Sequence, residues 1–125
     1  MVSNKKRILL FGGSGKKKLS PKELFIQNCV KCVENCEKVI DEFNNNPNDF
    51  TGPINGIVRK CRQSTQLILD NQNDDTESFK KRCENTLSIW KECIDACENY
   101  SDNNLFQLLI DSCQNCISSY EKLFI

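Results

Sequence analysis

Cys29, Cys32 and Cys36 share one side of any helix formed by the stretch Ile26–Cys36, and this limits the fold more than any other feature of the chain. At ~100° per residue the three thiols fall within about 60° of arc, because i, i+3 and i+4 neighbours lie on one face. Phe25, Val33, Ile40 and Phe43 occupy the same arc, so the sulfurs point inward with the apolar side chains. One inward cysteine is ordinary, since the residue packs as a small hydrophobe. Nine cysteines among 125 residues, placed along every apolar stripe, ask for a further role.

The stripes have helical period throughout, and none alternates as a strand would. Ser20-Pro21-Lys22-Glu23 reads as a capping box with Pro at the first helical position. The helix it starts runs to Phe43 and stops in Asn44-Asn45-Asn46-Pro47. A second helix follows from Pro53, with Ile54, Ile57, Val58, Cys61, Ser64, Thr65 and Ile68 inward. A third runs from Thr76 to Tyr100 on Phe79, Cys83, Leu87, Trp90, Cys93, Ile94 and Cys97. A fourth, capped by Ser101 or Asp102, turns Leu105, Leu109, Cys113, Cys116, Ile117, Tyr120 and Phe124 inward. Helices over about 20–44, 53–71, 76–100 and 102–124, joined by short loops, predict an all-α fold. The architecture is an antiparallel up-down-up-down four-helix bundle over residues 20–125, with a flexible basic N-terminal arm over residues 1–19.

Charge separates arm from body. Residues 1–22 carry seven Lys/Arg and no acid, and the rest carries ten bases against 17 acids. An acidic body argues against nucleic-acid binding. Phe11-Gly-Gly-Ser-Gly-Lys16 has the look of a phosphate loop, but Leu10 stands where the motif needs its first Gly and Lys17 where it needs Ser or Thr. No apolar run approaches the ~20 residues of a membrane span. Ile8–Phe11 is too short for a secretory core, and the cysteine count is odd. The chain therefore reads as cytoplasmic, with reduced thiols. His is absent, so a thiol or hydroxyl nucleophile has no imidazole base, and no enzyme is expected.

Folding the four helices against one another brings Cys29 and Cys32 level with Cys116 and Cys113, and Cys36 near Cys61. Cys93 and Cys97 lie close to the latter pair, with Cys83 toward the other end. Nine sulfurs on one seam without imidazole suit a soft ion, above all Cu(I). Two-coordinate Cu(I) fits Cys29/Cys32, Cys32/Cys36, Cys93/Cys97 and Cys113/Cys116. Zinc, which prefers a closed tetrahedron, is the other candidate, on Cys29, Cys32, Cys113 and Cys116. The candidate metal ligands are thus Cys29, Cys32, Cys36, Cys61, Cys83, Cys93, Cys97, Cys113 and Cys116. A metal ion is the expected partner, and the sequence leaves a homo-oligomer open.

The array Cys29-x-x-Cys32-x-x-x-Cys36, the isolated Cys61, Cys93-x-x-x-Cys97 and Cys113-x-x-Cys116 resembles the four-helix-bundle copper-binding family that includes the bacterial copper storage proteins. The likeness spans about residues 24–123. It implies a core of cysteines holding several Cu(I) ions as a store or buffer, with the nine cysteines as ligands. This chain departs from the pattern at Thr65, four residues after Cys61, where a second cysteine would be expected, and at Trp90 in the core of helix three. Two other readings remain at this point. Cys29-x-x-Cys32 followed by Cys61 is similar to the opening of saposin-like lipid-binding modules, which need disulfides and secretion. A metal-free interaction bundle would use the cysteines as filler.

Overall fold

The computed structural model describes residues 18–46 and 52–124. Most of the expected basic arm, its candidate strand Arg7–Phe11 and the Phe11–Lys16 loop lie outside the described residues, as does the Pro47 loop. Four helices carry the fold: α1 Pro21–Asn45, α2 Gly52–Asp70, α3 Thr76–Glu98 and α4 Asn104–Phe124. They close into a ring, α1 against α2, α2 against α3, α3 against α4, and α4 back against α1. Cross-helix partners run in opposite chain directions. Asn28 meets Ser119 while Asn35 meets Ser112, and Glu37 meets Arg62 while Asn44 meets Arg59. Every neighbouring pair is antiparallel, as short connections require.

Local chemistry sets the helix starts. At α1 the Glu23 amide donates to Ser20 Oγ (3.1 Å) and the Ser20 amide donates to Glu23 Oε1 (2.8 Å), which satisfies two otherwise orphaned donors. At α3 the Asp75 carboxylate accepts from the Ser78 amide at 2.9 Å and from its hydroxyl at 3.0 Å. The cap of α4 differs from expectation. Neither Ser101 nor Asp102 serves; the Leu105 amide donates to Asn103 Oδ1 at 2.8 Å. The reason lies in the preceding turn, where the Tyr100 amide donates to Cys97 O and the Asn103 amide to Tyr100 O. That turn ends α3 at Glu98 and brings the Asn103 carboxamide to the first free amides of α4.

The core has three zones. At the end holding the α1 N-terminus, Phe25 stands edge-on to Phe79 (centroids 6.0 Å) and to Trp90 (6.1 Å), and Phe124 packs on Phe79 and Tyr120. At the opposite end Phe106 stacks on Tyr100 at 5.1 Å and meets Phe43 at 6.0 Å. The nine cysteines lie in the same buried core. Two polar devices cross it. Trp90 Nε1 donates to Thr65 Oγ1 at 3.0 Å, both side chains being fully buried. Along the α1/α4 contact, the Asn28 carboxamide donates to Ser119 Oγ and the Asn115 carbonyl, and that of Asn35 to Ser112 Oγ and the Leu108 carbonyl. A one-residue slip of α4 would strand the buried Asn35, Ser112 and Ser119 side chains, so these pairs fix its register.

No helix among the described residues is long and apolar enough to cross a membrane.

Replacing Thr65 with Val keeps its shape and leaves the Trp90 indole N–H without an acceptor. Denaturant unfolding is expected to show a loss of ~1–3 kcal/mol, the cost of a buried unsatisfied donor, with Thr65→Ser restoring part of it. The Asp75 carboxyl is held below its ordinary range by the Ser78 amide and then by the Ser78 hydroxyl. A depressed carboxyl contributes stability that is present above its unfolded value, near ~3.9, and lost as pH falls through its folded value. Unfolding measured from pH 7 down to 2 should therefore show an acid loss that is smaller in Asp75→Asn than in the parent.

Candidate metal centre

All nine cysteines are free, and each side chain has no exposed surface. Their burial follows from helical phase: Cys29, Cys32 and Cys36 continue the stripe of Phe25, Val39 and Phe43, and Cys83, Cys93 and Cys97 that of Phe79 and Trp90. The saposin-like reading needs disulfides, and none of these cysteines forms one.

The sulfurs converge at mid-bundle. Cys113 Sγ lies 3.9 Å from Cys32 Sγ and 3.9 Å from Cys61 Sγ. Two trios have all three sulfurs within 4.8 Å of one another: Cys32, Cys36 and Cys61, and Cys61, Cys93 and Cys113. Each trio draws on more than one helix, and together the five residues come from all four. The remaining thiols extend this centre. Cys116 adjoins Cys29 and Cys32 across the α1/α4 contact, Cys97 adjoins Cys93, and Cys83 feels Cys29.

This grouping modifies the expectation drawn from spacing. Of the four same-helix pairs, only Cys32/Cys36 falls inside a trio, and the zinc quartet Cys29, Cys32, Cys113 and Cys116 is not one of the close sets among the described residues. Successive turns of a helix hold Cβ atoms ~5–6 Å apart with side chains roughly parallel, whereas facing helices aim their side chains at one another. The expected levels, Cys32 with Cys113 and Cys36 with Cys61, are met.

Crowding splits the thiols by acidity. Hydrogen bonds from Cys113 first, then from Cys116 and Cys36, hold the Cys32 thiol down to about 6. Cys61 is likewise held well below its ordinary value, by Cys113 first and then Cys32 and Cys36. The donors pay in turn. Cys36 is raised through its contacts with Cys32 and Cys61, and Cys113 through Cys32, Cys61 and Cys93. Cys116 is raised through Cys29 and Cys32. At Cys93 the Cys113 contact lowers, but contacts with Cys61 and Cys97 together with burial raise it overall. Burial pushes the Cys83 thiol up to about 12. The centre thus favours a small number of thiolates solvated by neighbouring S–H groups, since further negative charge in a dry core is costly. A cation relieves that cost.

Sequence reasoning missed the α1/α4 polar pairs and the inward Val39, Thr86, Phe106 and Ile110. The heptad spacing of Asn28 with Asn35 and of Ser112 with Ser119 was the available signal for the pairs.

No curated protein and no solved structure matches the chain. The family model described as copper storage protein matches residues 18–124, which takes in all four helices and all nine cysteines. Its members store Cu(I) on bundle cysteines and are not enzymes, and the buried sulfur centre found here has the donor chemistry for that task. With sulfur-lined bundle and family match in agreement, the chain belongs to the copper storage protein family.

Proposed function

We propose that this chain stores Cu(I) on Cys29, Cys32, Cys36, Cys61, Cys83, Cys93, Cys97, Cys113 and Cys116, in the reducing setting of the cytoplasm. The observation that carries the reading is that all nine thiols are free, fully buried and strung along one core. Thiolate sulfur is the preferred donor for Cu(I), and low coordination numbers suffice for it. The close sets hold three sulfurs rather than the four of a closed zinc site, which favours copper over zinc. The aromatic groups at both ends keep water from the middle, where a thiolate–cation contact is strongest. Release of the ion is then governed by competing thiols and by protons, because each ligand must lose its proton to bind.

Anaerobic titration of the reduced protein with Cu(I) against a competing chelator tests this. The parent should take up several ions per chain and release protons as it does so, with weaker uptake at pH 5.5 than at pH 7.5. A variant with Ser at positions 29, 32, 113 and 116 should lose about half of the capacity or more. Uptake by that variant equal to the parent's in amount and affinity would remove these residues from the store.

A further inference from the structure

One stretch of the chain takes no part in holding copper. Lys5-Lys6-Arg7 and Lys16-Lys17-Lys18 bracket the apolar quartet Ile8-Leu9-Leu10-Phe11, and no acidic residue precedes Glu23. Six cations and four large apolar side chains give residues 5–18 two separate affinities. Each Lys or Arg near an anionic bilayer is worth about fivefold in partitioning. An apolar group alone holds a protein to a bilayer only reversibly, and joined to a polybasic patch it makes a stable surface anchor. Duplex nucleic acid, the other dense polyanion, would engage the cations and leave the quartet in water.

The described residues continue the same chemistry where this stretch enters the bundle. Residues 18–24 are all exposed, Leu19 at 46% and Leu24 at 37%. Leu24 shares a depression over the α1/α4 contact with Lys122, and Leu19 shares another with Lys22 and Ile26. The Ser20–Glu23 capping box fixes the first turn of α1, so Lys22 and Leu24 hold a set orientation to the bundle. The opposite end is acidic. Asp41, Glu42, Asp95, Glu98 and Asp102 lie there, and the last turns of α1 and α3 hold no basic residue. At the near end Asp74 and Asp75 belong to the α2–α3 connection, where Arg82 pairs with Asp74 at 3.2 Å. An anionic surface therefore attracts the end that carries the basic stretch and repels the far one.

We infer that residues 5–18, with Leu19, Lys22, Leu24 and Lys122 beside them, bind the surface of an anionic phospholipid bilayer and hold the bundle against it. The Ile8–Phe11 quartet enters the boundary between headgroups and acyl chains, and the two cationic triplets meet the lipid phosphates and carboxylates. Four apolar residues are far short of the ~20 that a span requires, so the anchor lies on the membrane and does not cross it. The cytoplasmic leaflet is the anionic one, which agrees with the reducing setting proposed for the store.

Co-sedimentation of the full, metal-free chain with large unilamellar vesicles tests the anchor. At physiological salt the chain should bind phosphatidylcholine vesicles containing about one-third phosphatidylserine, and bind phosphatidylcholine alone only weakly. Lys16→Gln, Lys17→Gln and Lys18→Gln together should lower partitioning about a hundredfold. Ile8→Ser, Leu9→Ser, Leu10→Ser and Phe11→Ser together should lower it at least about tenfold at unchanged charge. All of these positions lie outside the four helices, so helical content by circular dichroism should match the parent's. Equal binding to neutral and anionic vesicles, or a quartet variant that binds as the parent does, would overturn the anchor. So would tighter binding to duplex DNA at the same salt that the quartet substitutions leave unchanged. Copper uptake enters none of these measurements, so anchor and store stand or fall separately.

Discussion

The bundle depends on one coincidence of phase: its thiols occupy the inward positions that a structural bundle would fill with leucine. A cysteine side chain is small, so each such position buries less apolar surface than the residue it displaces. The middle of the core is therefore short of hydrophobic stabilisation, and the ends compensate. Phe25, Phe79, Trp90 and Tyr120 at one end, with Phe43 and Phe106 at the other, supply large buried rings, and the partly buried Phe124 and Tyr100 pack on them in tilted and stacked contact. Sulfur at the centre and aromatics at the ends divide function from cohesion along one axis.

The same crowding makes the centre electrostatically asymmetric. Cys32 and Cys61 are held low because their neighbours donate to them, and Cys36, Cys113 and Cys116 are raised by the reciprocal effect. Without metal the centre can bear little negative charge, and each cation permits further deprotonation. A proton and a cation seated there would compete for the same sulfurs, and the geometry couples that competition across four helices.

Much of this was legible in the residues. Helical period gave the inward face of each helix, Ser20-Pro21-Lys22-Glu23 located the start of α1, and chain reversal predicted that Cys32 meets Cys113. Other features were not. Spacing along one helix suggested same-helix pairs, of which only Cys32/Cys36 falls inside a close trio; the trios are completed by contacts between helices, which depend on the rotation of each helix about its axis. The Asn103 cap depended on a turn made by Cys97 to Asn103, and no local signal separated it from Ser101 or Asp102. Thr65 and Trp90 each looked like a gap in the cysteine pattern. Together they form a buried hydrogen bond across α2 and α3, visible only when the two helices are placed.

That bond has a further consequence. Trp90 is the sole tryptophan of the chain, and it sits one helical turn before Cys93 on the inward face of α3. Its indole is dry, rigidly oriented and next to the zone where heavy, polarisable ions would gather. The molecule therefore carries its own optical gauge: ultraviolet emission from a single known position, free of overlapping signals from other indoles, against which filling and emptying of the interior can be followed in real time.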